Sequence, residues 1–328
     1  MVLIQRISDY AIFGLVKLWI VVRVSRHWRV LRKRLRKKGI QKVHVVVPLL
    51  GDEKYFWRKT FDHDPRFVTL TDKIACKAWV AQQGIPAQMP KTLWVGTDAN
   101  DIPDALWEQP SYLKASHGYN MNIPVLAPPA DRSAIIAQAN AFLQREHGRK
   151  HNQWAYRHVK RQLLLEEAVF VDQPMIEVKY YVSGPTVAQF VISRHGPPRT
   201  GARWLRQADG EYIRDDKPTS HGPDIDTAPL PPAVETGLKI AQDIGSHFDH
   251  IRVDTMTDGE TVYLGELTVY SLTGRIHHYG HVASAPINQS WDLRRSWFLS
   301  QKQPWPWSLY ANALRRALDR RELGIGRG

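Results

Sequence analysis

The 328-residue sequence holds a single cysteine, Cys76, which excludes a disulfide framework and any cysteine-ligated metal cluster within the chain. Such sparing use suits a reducing compartment. Long apolar runs are also missing. The N-terminal one, residues 10–22, is interrupted by Lys17 and falls short of the ~20 residues that a bilayer-crossing helix needs. Its basic residues follow the apolar run and no small-residue cleavage site comes after it, the reverse of a secretory signal. Acidic residues are nearly absent from the start of the chain. Residues 1–42 carry twelve Lys and Arg against Asp9 alone, so +11 of the net +13 sits there and the remainder is close to neutral. No internal repeat or low-complexity tract is evident.

What is present is the composition of a soluble globular protein, 43% hydrophobic and 23% charged, with length for one large or two ordinary domains. Residues 1–40 read as a basic amphipathic helix: an apolar stretch with Trp19, then Trp28 among lysines and arginines. Through residues 1–38 it is expected to lie on an anionic membrane surface. The plain alternative is a helix packed on the protein's own body with a solvated basic end. Nucleic-acid binding finds no base-stacking aromatics or reading motif, and none is expected.

Further along, residues 42–50 suggest a short buried strand. Asp72 is placed to cap a helix that begins at Lys73 and stops at Gly84-Ile85-Pro86. Strands are expected at 92–95, at 112–115 before the loop 116–122, at 123–126 and at 163–169. A hairpin follows at 177–193, and helices at 134–146, 232–247 and 309–323. Residues 195–229 are rich in Pro, Gly and Asp and read as loops. Strands and helices in mixed order make the fold α+β.

The most informative stretch is 250–268, two strands around Asp258-Gly259. By the two-residue period Arg252 and Asp254 share one strand face, and Glu266 and Thr268 share another. Buried carboxylates need a proton, a partner or a metal, and two on adjacent strands are what a Mg²⁺-nucleotide site requires. For Asp254 and Glu266 to face the same side, cross-strand partners must sum to an even number. A two-residue loop splits them; a three-residue loop pairing Met256 with Glu260, or a compensating bulge, joins them. The competing view is a surface hairpin whose acids are solvated.

Five ordered segments extend this: YFWRKTFDHDPRFVTLTDKIACKAWV at 55–80, LKASHG at 113–118, LEE at 165–167, EVKY at 177–180, and RVD at 252–254 with GELT at 265–268. Together the chain over roughly residues 50–280 resembles the teichuronopeptide-biosynthesis (TupA-like) ATP-grasp family. The resemblance implies an ATP-grasp fold, two α+β subdomains clamping ATP, with Mg²⁺ on the last hairpin. It also implies an enzyme that makes an acylphosphate from a carboxylate and passes it to an amine, the substrates being small molecules or glycans of cell-surface polymer synthesis. Lys73 and Lys114 would neutralise phosphates, with His117 and Gly118 in the loop over them. Glu166 with the backbone of Glu167 and Val169 would form the adenine-side hinge. Glu177 would hold the ribose, and Lys179 is a further candidate for phosphate or hinge contact. Asp254, Glu266 and Thr268 would hold Mg²⁺, and Arg252 would stabilise an oxyanion.

Two departures stand out. The loop after Lys114 keeps only Gly118 where the family is glycine-rich, and Thr268 stands where an asparagine is common. The implied division is 1–40, 41–95, 96–165 and 166–328, in a protein of the cytoplasm at the inner membrane face. Rival functions are a kinase or glycan-modifying transferase on the same scaffold, and a nucleotide-binding scaffold without turnover. The histidines His277, His278 and His281 suggest a polar loop near an acceptor pocket rather than a metal site.

Overall fold

The structure, a computed structural model, describes residues 2–195, 198–217, 219, 224–276 and 280–322. His277 and His278 lie outside these, as does the side chain of His281. The fold is α+β in two compact units, Met1–Asp64 with Tyr270–Gly328, and Pro65–Val269.

The first unit begins with α1 (Val2–Arg23) and α2 (Ser25–Arg36), where one helix was expected. Val24, at φ −122°, breaks them apart. Both helices contribute to a core: Val16 and Ile20 from α1, and Trp28, Leu31 and Leu35 from α2, are buried at helical spacing. The strand expected at 42–50 does not form. The Glu53 carboxylate, in α3 (Gly51–Phe61), accepts the backbone N–H groups of His44 at 2.6 Å, Leu49 at 2.9 Å and Leu50 at 3.0 Å. Donors that a neighbouring strand would have used are thereby satisfied.

The second unit opens with α4 (Arg66–Thr71) and α5 (Ala75–Gln82), with Asp72 accepting from the Ile74 N–H at 2.9 Å. The helix therefore starts two residues after Lys73. β1 (Thr92–Gly96), β2 (Ser111–Ala115) and β3 (Asn122–Val125) precede α6 (Arg132–Leu143), and β4 (Leu163–Glu167) completes an antiparallel sheet of order β1-β4-β2-β3. Leu113, Leu163 and Leu165 point to the core with Ala139 and Phe142 of α6. By alternation Tyr112, Lys114 and Glu166 occupy the opposite face.

A second sheet runs β11-β10-β5-β6-β7-β8 in the same unit. Its strands are β5 (Ile176–Ser183), β6 (Thr186–Arg194), β7 (Thr200–Arg206), β8 (Tyr212–Asp215), the short β9 (Asp224–Ile225) parallel to β7, β10 (Ile251–Thr257) and β11 (Val262–Thr268). Three strands thus replace the loops expected over 195–229. β7 has no hydrophobic alternation of its own and is fixed by pairing with β6, where Trp204 stacks on Phe190 at 6.1 Å. Helix α7 (Ala233–Ser246) covers β5, β6 and β10 and approaches closely: a Cβ at Gly237 would lie 2.1 Å from the Tyr180 hydroxyl.

The chain then returns to the first unit through α8 (Gly280–Ser290), α9 (Trp297–Ser300) and α10 (Trp307–Glu322). These last helices group with the N-terminal segment rather than with the second sheet, which differs from the expected 166–328 division. The reason lies in buried polar contacts. The Tyr310 hydroxyl donates to the Val46 carbonyl at 2.7 Å and accepts from Trp57 Nε1 at 2.8 Å. Asp9 receives Arg316 and Arg320. No helix among the described residues is long and apolar enough to cross a membrane.

Candidate functional site

The β10–β11 hairpin turns through four residues, 258–261. Its first pairs, Thr257 with Val262 and Met256 with Tyr263, have the odd register that would separate the acids. Gly265 is then the extra residue of a bulge, and beyond it Asp254 pairs with Glu266 and Arg252 with Thr268. The three-residue loop is not formed; the bulge restores the even register. Asp258 closes the longer turn by accepting the N–H groups of Glu260 at 3.0 Å and Thr261 at 2.8 Å.

Asp254 and Glu266 line one pocket of about 360 Å³ between the two sheets of the second unit. Lys73, Lys77 and Lys114 line it as well, together with Glu166 and Glu177. Glu166 holds Lys77 at 2.5 Å through one oxygen and Lys114 through the other. Lys77 also donates to the Pro90 carbonyl at 2.5 Å and to Thr92 Oγ1 at 2.9 Å. Lys73 Nζ donates to the Gly118 carbonyl. Burial pushes the Lys73 ammonium below its usual range, the Glu266 charge opposing this and Lys114 adding to it.

Arg252 lies flat against Asp254, with Nε to one oxygen at 2.6 Å and Nη2 to the other at 2.5 Å, and Nη2 reaches Thr268 Oγ1 at 3.1 Å. Among the described residues its Nη1 edge has no partner. Burial raises the Asp254 carboxyl, with Arg252 and Lys179 opposing and Glu266 adding. Lys179 forms an ion pair with Glu177. Burial disfavours the Glu177 charge too, but His195 and Lys179 prevail and hold that carboxyl far below the usual range.

Several expected residues sit elsewhere. His117 is buried beneath the loop, Nε2 3.2 Å from the Arg145 carbonyl, and does not line the pocket. Glu167 donates its N–H to the Lys91 carbonyl at 2.9 Å and accepts the Lys91 N–H on its side chain at 2.6 Å. That backbone donor is used by the sheet and is not free for a hinge. Val169 is likewise outside the pocket, and Glu166 serves as a lysine partner. Thr268 is nearly buried and accepts from Arg252; like Arg252 and Lys179 it does not line the pocket.

The loop 116–122 is clasped by side chains where a flexible lid would use glycines. The Ser116 hydroxyl donates to the Lys160 carbonyl at 2.8 Å, and the Tyr119 ring meets the edge of His147 at 5.0 Å and Tyr156 at 6.1 Å. Gly118 is needed where it stands, since a Cβ there would lie 2.6 Å from the His147 ring. Lys77 is the residue that reading the sequence missed. It lies in α5, four residues after Lys73, which itself precedes the helix.

No group of three or more His, Cys, Asp or Glu fit for a metal occurs among the described residues. Magnesium asks for less, one or two carboxylates with water and phosphate oxygens supplying the rest. Asp254 and Glu266, paired on one face, fit that demand. Four carboxylates against three lysines line the pocket, so a polyanion entering it needs added positive charge.

No family model matches the chain and no curated protein matches it. Among solved structures, it is similar to D-alanine–D-alanine ligase from Bacillus anthracis, with 15% identity over 78% of this chain and 69% of the other, TM-score 0.36. N5-carboxyaminoimidazole ribonucleotide synthetase in complex with ADP shares 16% identity over 70% of this chain and 52% of that one, TM-score 0.39. An ATP-grasp ligase solved with a precursor peptide and AMPPNP shares 12% over 73% and 66%, TM-score 0.36. At such identities and scores neither a reaction nor a family follows from them.

Proposed function

We propose that the chain is an ATP- and Mg²⁺-dependent carboxylate–amine ligase of ATP-grasp type. The observation that carries this is the convergence of Lys73, Lys77, Lys114 and the paired acids Asp254 and Glu266 on one pocket between two antiparallel sheets. Lys73 and Lys114 bind phosphate oxygens, with Lys77 setting the position of Glu166. Asp254 and Glu266 hold Mg²⁺, which offsets charge on the phosphates. Glu177 lines the pocket as an acceptor for a sugar hydroxyl. Arg252 uses its unshared Nη1 edge toward the reacting carboxylate.

In this reaction a substrate carboxylate oxygen attacks the γ-phosphorus, the bond to the β-phosphate oxygen breaks, and ADP leaves. The amine then attacks the acylphosphate carbon, phosphate departs and the nitrogen loses a proton. Arg252 stabilises the oxyanion between those events. The substrates are carboxylates and amines of small molecules or glycans in cell-surface polymer synthesis, an assignment that rests on the resemblance to the TupA-like family. The protein works in the cytoplasm at the inner membrane face, through residues 1–38.

An ATPase assay across candidate carboxylates and amines tests this. Release of ADP and phosphate that depends on both acceptors supports the ligase. ADP with a stable phosphorylated product means a kinase, and nucleotide binding without ADP under any acceptor means a scaffold.

A further inference from the structure

The first unit carries a face that the pocket chemistry does not use. Helix α1 buries Asp9, Val16 and Ile20 and turns a second stripe outward, with Ile7 62%, Leu15 69%, Leu18 61% and Val22 66% exposed. These four lie at helical spacing along about 22 Å of axis. Single exposed apolar side chains are ordinary, but a continuous stripe marks a contact surface.

Beside the stripe runs a groove of about 540 Å³ that follows α1 and α2 across the break at Val24, walled on the other side by residues 41–44. Its apolar lining is Val21, Trp28 and Val43, with Gln41 and His44 beside them, and Val21 joins it to Leu18 and Val22 on the same helix. Its rim carries Lys17, Arg32, Arg36 and Lys42, and no acid lines it. Among the described residues none of these four cations has an ion-pair partner. Arg34 on the same helix behaves differently: it faces inward and is spent on Asp52 at 2.8 Å and the Gly274 carbonyl at 2.9 Å. The inward cation is matched within the unit, and the outward ones are left for an external anion.

Resting on the reading of residues 1–38 as the membrane contact, we propose that this face is a built docking site for an anionic phospholipid bilayer. Leu15, Leu18 and Val22 enter the boundary between headgroups and acyl chains. The groove takes a lipid phosphate between Lys17, Arg32, Arg36 and Lys42. Charge complementarity selects the occupant, and the apolar stripe alongside selects a bilayer over a free anion.

The test is co-sedimentation of the full chain with phosphatidylcholine vesicles, with or without about 30% phosphatidylglycerol. Wild type is expected to pellet only with the anionic vesicles and to be released by salt. Arg32→Gln/Arg36→Gln/Lys42→Gln should weaken pelleting at least about tenfold more than the charge-matched Arg23→Gln/Arg26→Gln/Lys38→Gln, whose positions line neither this groove nor its neighbour on α2. Leu18→Asp/Val22→Asp should abolish it with the thermal midpoint retained, as both side chains are exposed. Equal losses in the two triples would mean diffuse attraction and overturn the groove. Competition by millimolar glycerol phosphate would mean a free-phosphate site and overturn bilayer docking, as would tighter binding to an oligonucleotide than to the vesicles. If wild type ignores anionic vesicles altogether, the membrane contact itself is wrong. Turnover is read in a separate assay, so loss of the ligase reading leaves these outcomes interpretable.

Discussion

Glu166 is the residue on which the cationic side of the pocket turns. Bonded to Lys77 through one oxygen and Lys114 through the other, it fixes the spacing of two like charges that would otherwise repel. Lys77 is in turn held by the Pro90 carbonyl and the Thr92 hydroxyl, so it acts as a positioning residue. Lys77→Met should leave Glu166 to Lys114 alone, draw that ammonium off the phosphates and weaken nucleotide affinity about tenfold, or about 1.4 kcal/mol. Titration calorimetry with Mg²⁺-AMPPNP measures this, and unchanged affinity would reduce Lys77 to a structural role. Lys114, Asp254 and Glu266, which the structure brings to one pocket, were legible as candidates because each breaks the apolar pattern of a strand. Lys77 was not, since a lysine on a short helix is ordinary until its partner is known. His117 and Thr268 were singled out for chemistry that suits a ligand, and in the structure they meet the Arg145 carbonyl and Arg252 outside the pocket lining.

At the scale of elements, α5, α6, α7 and α10 were readable within a few residues from caps and periodicity, whereas α3, α4, α8, α9, the break at Val24 and the strands β7 to β9 were not. Those depend on partners distant in sequence: β7 exists because β6 offers it a ladder, and residues 42–50 lose their strand to one glutamate. The N-terminal helices belong to the core of their unit, so removing residues 1–38 would strip Val16, Ile20, Trp28, Leu31 and Leu35 from it. Point changes therefore test these elements better. Asp9 joins α1 to α10 by accepting Arg316 Nη2 at 2.5 Å and both Nη atoms of Arg320 at 3.1 Å. Burial opposes its charge, but the two arginines hold its carboxyl below the usual range. Asp9→Ala should cost about 2 kcal/mol near neutral pH. The gap from wild type should begin to close as pH falls below about 4, where the unfolded carboxylate takes up its proton, and vanish only once pH is below the lowered native value; urea melts at neutral pH and through the acid range check this. On α3, Lys59 donates to the Thr273 carbonyl at 2.6 Å, and burial lowers its ammonium to about 7. An unfolded lysine titrates near 10.4, about three units higher. Between those values the unfolded chain binds the extra proton, so this group makes stability rise with pH from about 7 to about 10. Lys59→Met should flatten that rise, as read by urea melts at pH 7 and 9; a slope equal to wild type would assign the pH dependence to other groups.

For the molecule as a whole, charge is divided by task. Nearly all the net positive charge lies in the first 42 residues, while the pocket of the second unit is lined by more acids than bases. A nucleotide triphosphate should therefore bind weakly without Mg²⁺ and well with it, because the metal supplies the charge that the three lysines do not. In a thermal melt, Mg²⁺-AMPPNP at about a hundred times its dissociation constant should stabilise wild type by about 2.7 kcal/mol. The same nucleotide in EDTA should give a much smaller rise. Glu266→Gln keeps the shape and hydrogen-bonding capacity of the side chain and removes one metal-binding charge. Its own midpoint should match wild type while the Mg²⁺-dependent rise falls away, and turnover should drop about a hundredfold or more. Asp254→Gln is the poorer probe, since a longer amide would also disturb the Arg252 bonds, so Asp254→Asn is the partner variant. An equal nucleotide-induced rise in Glu266→Gln, or an undiminished one in EDTA, would mean that the paired acids do not hold the metal. The bulge at Gly265 would then be a feature of hairpin closure alone.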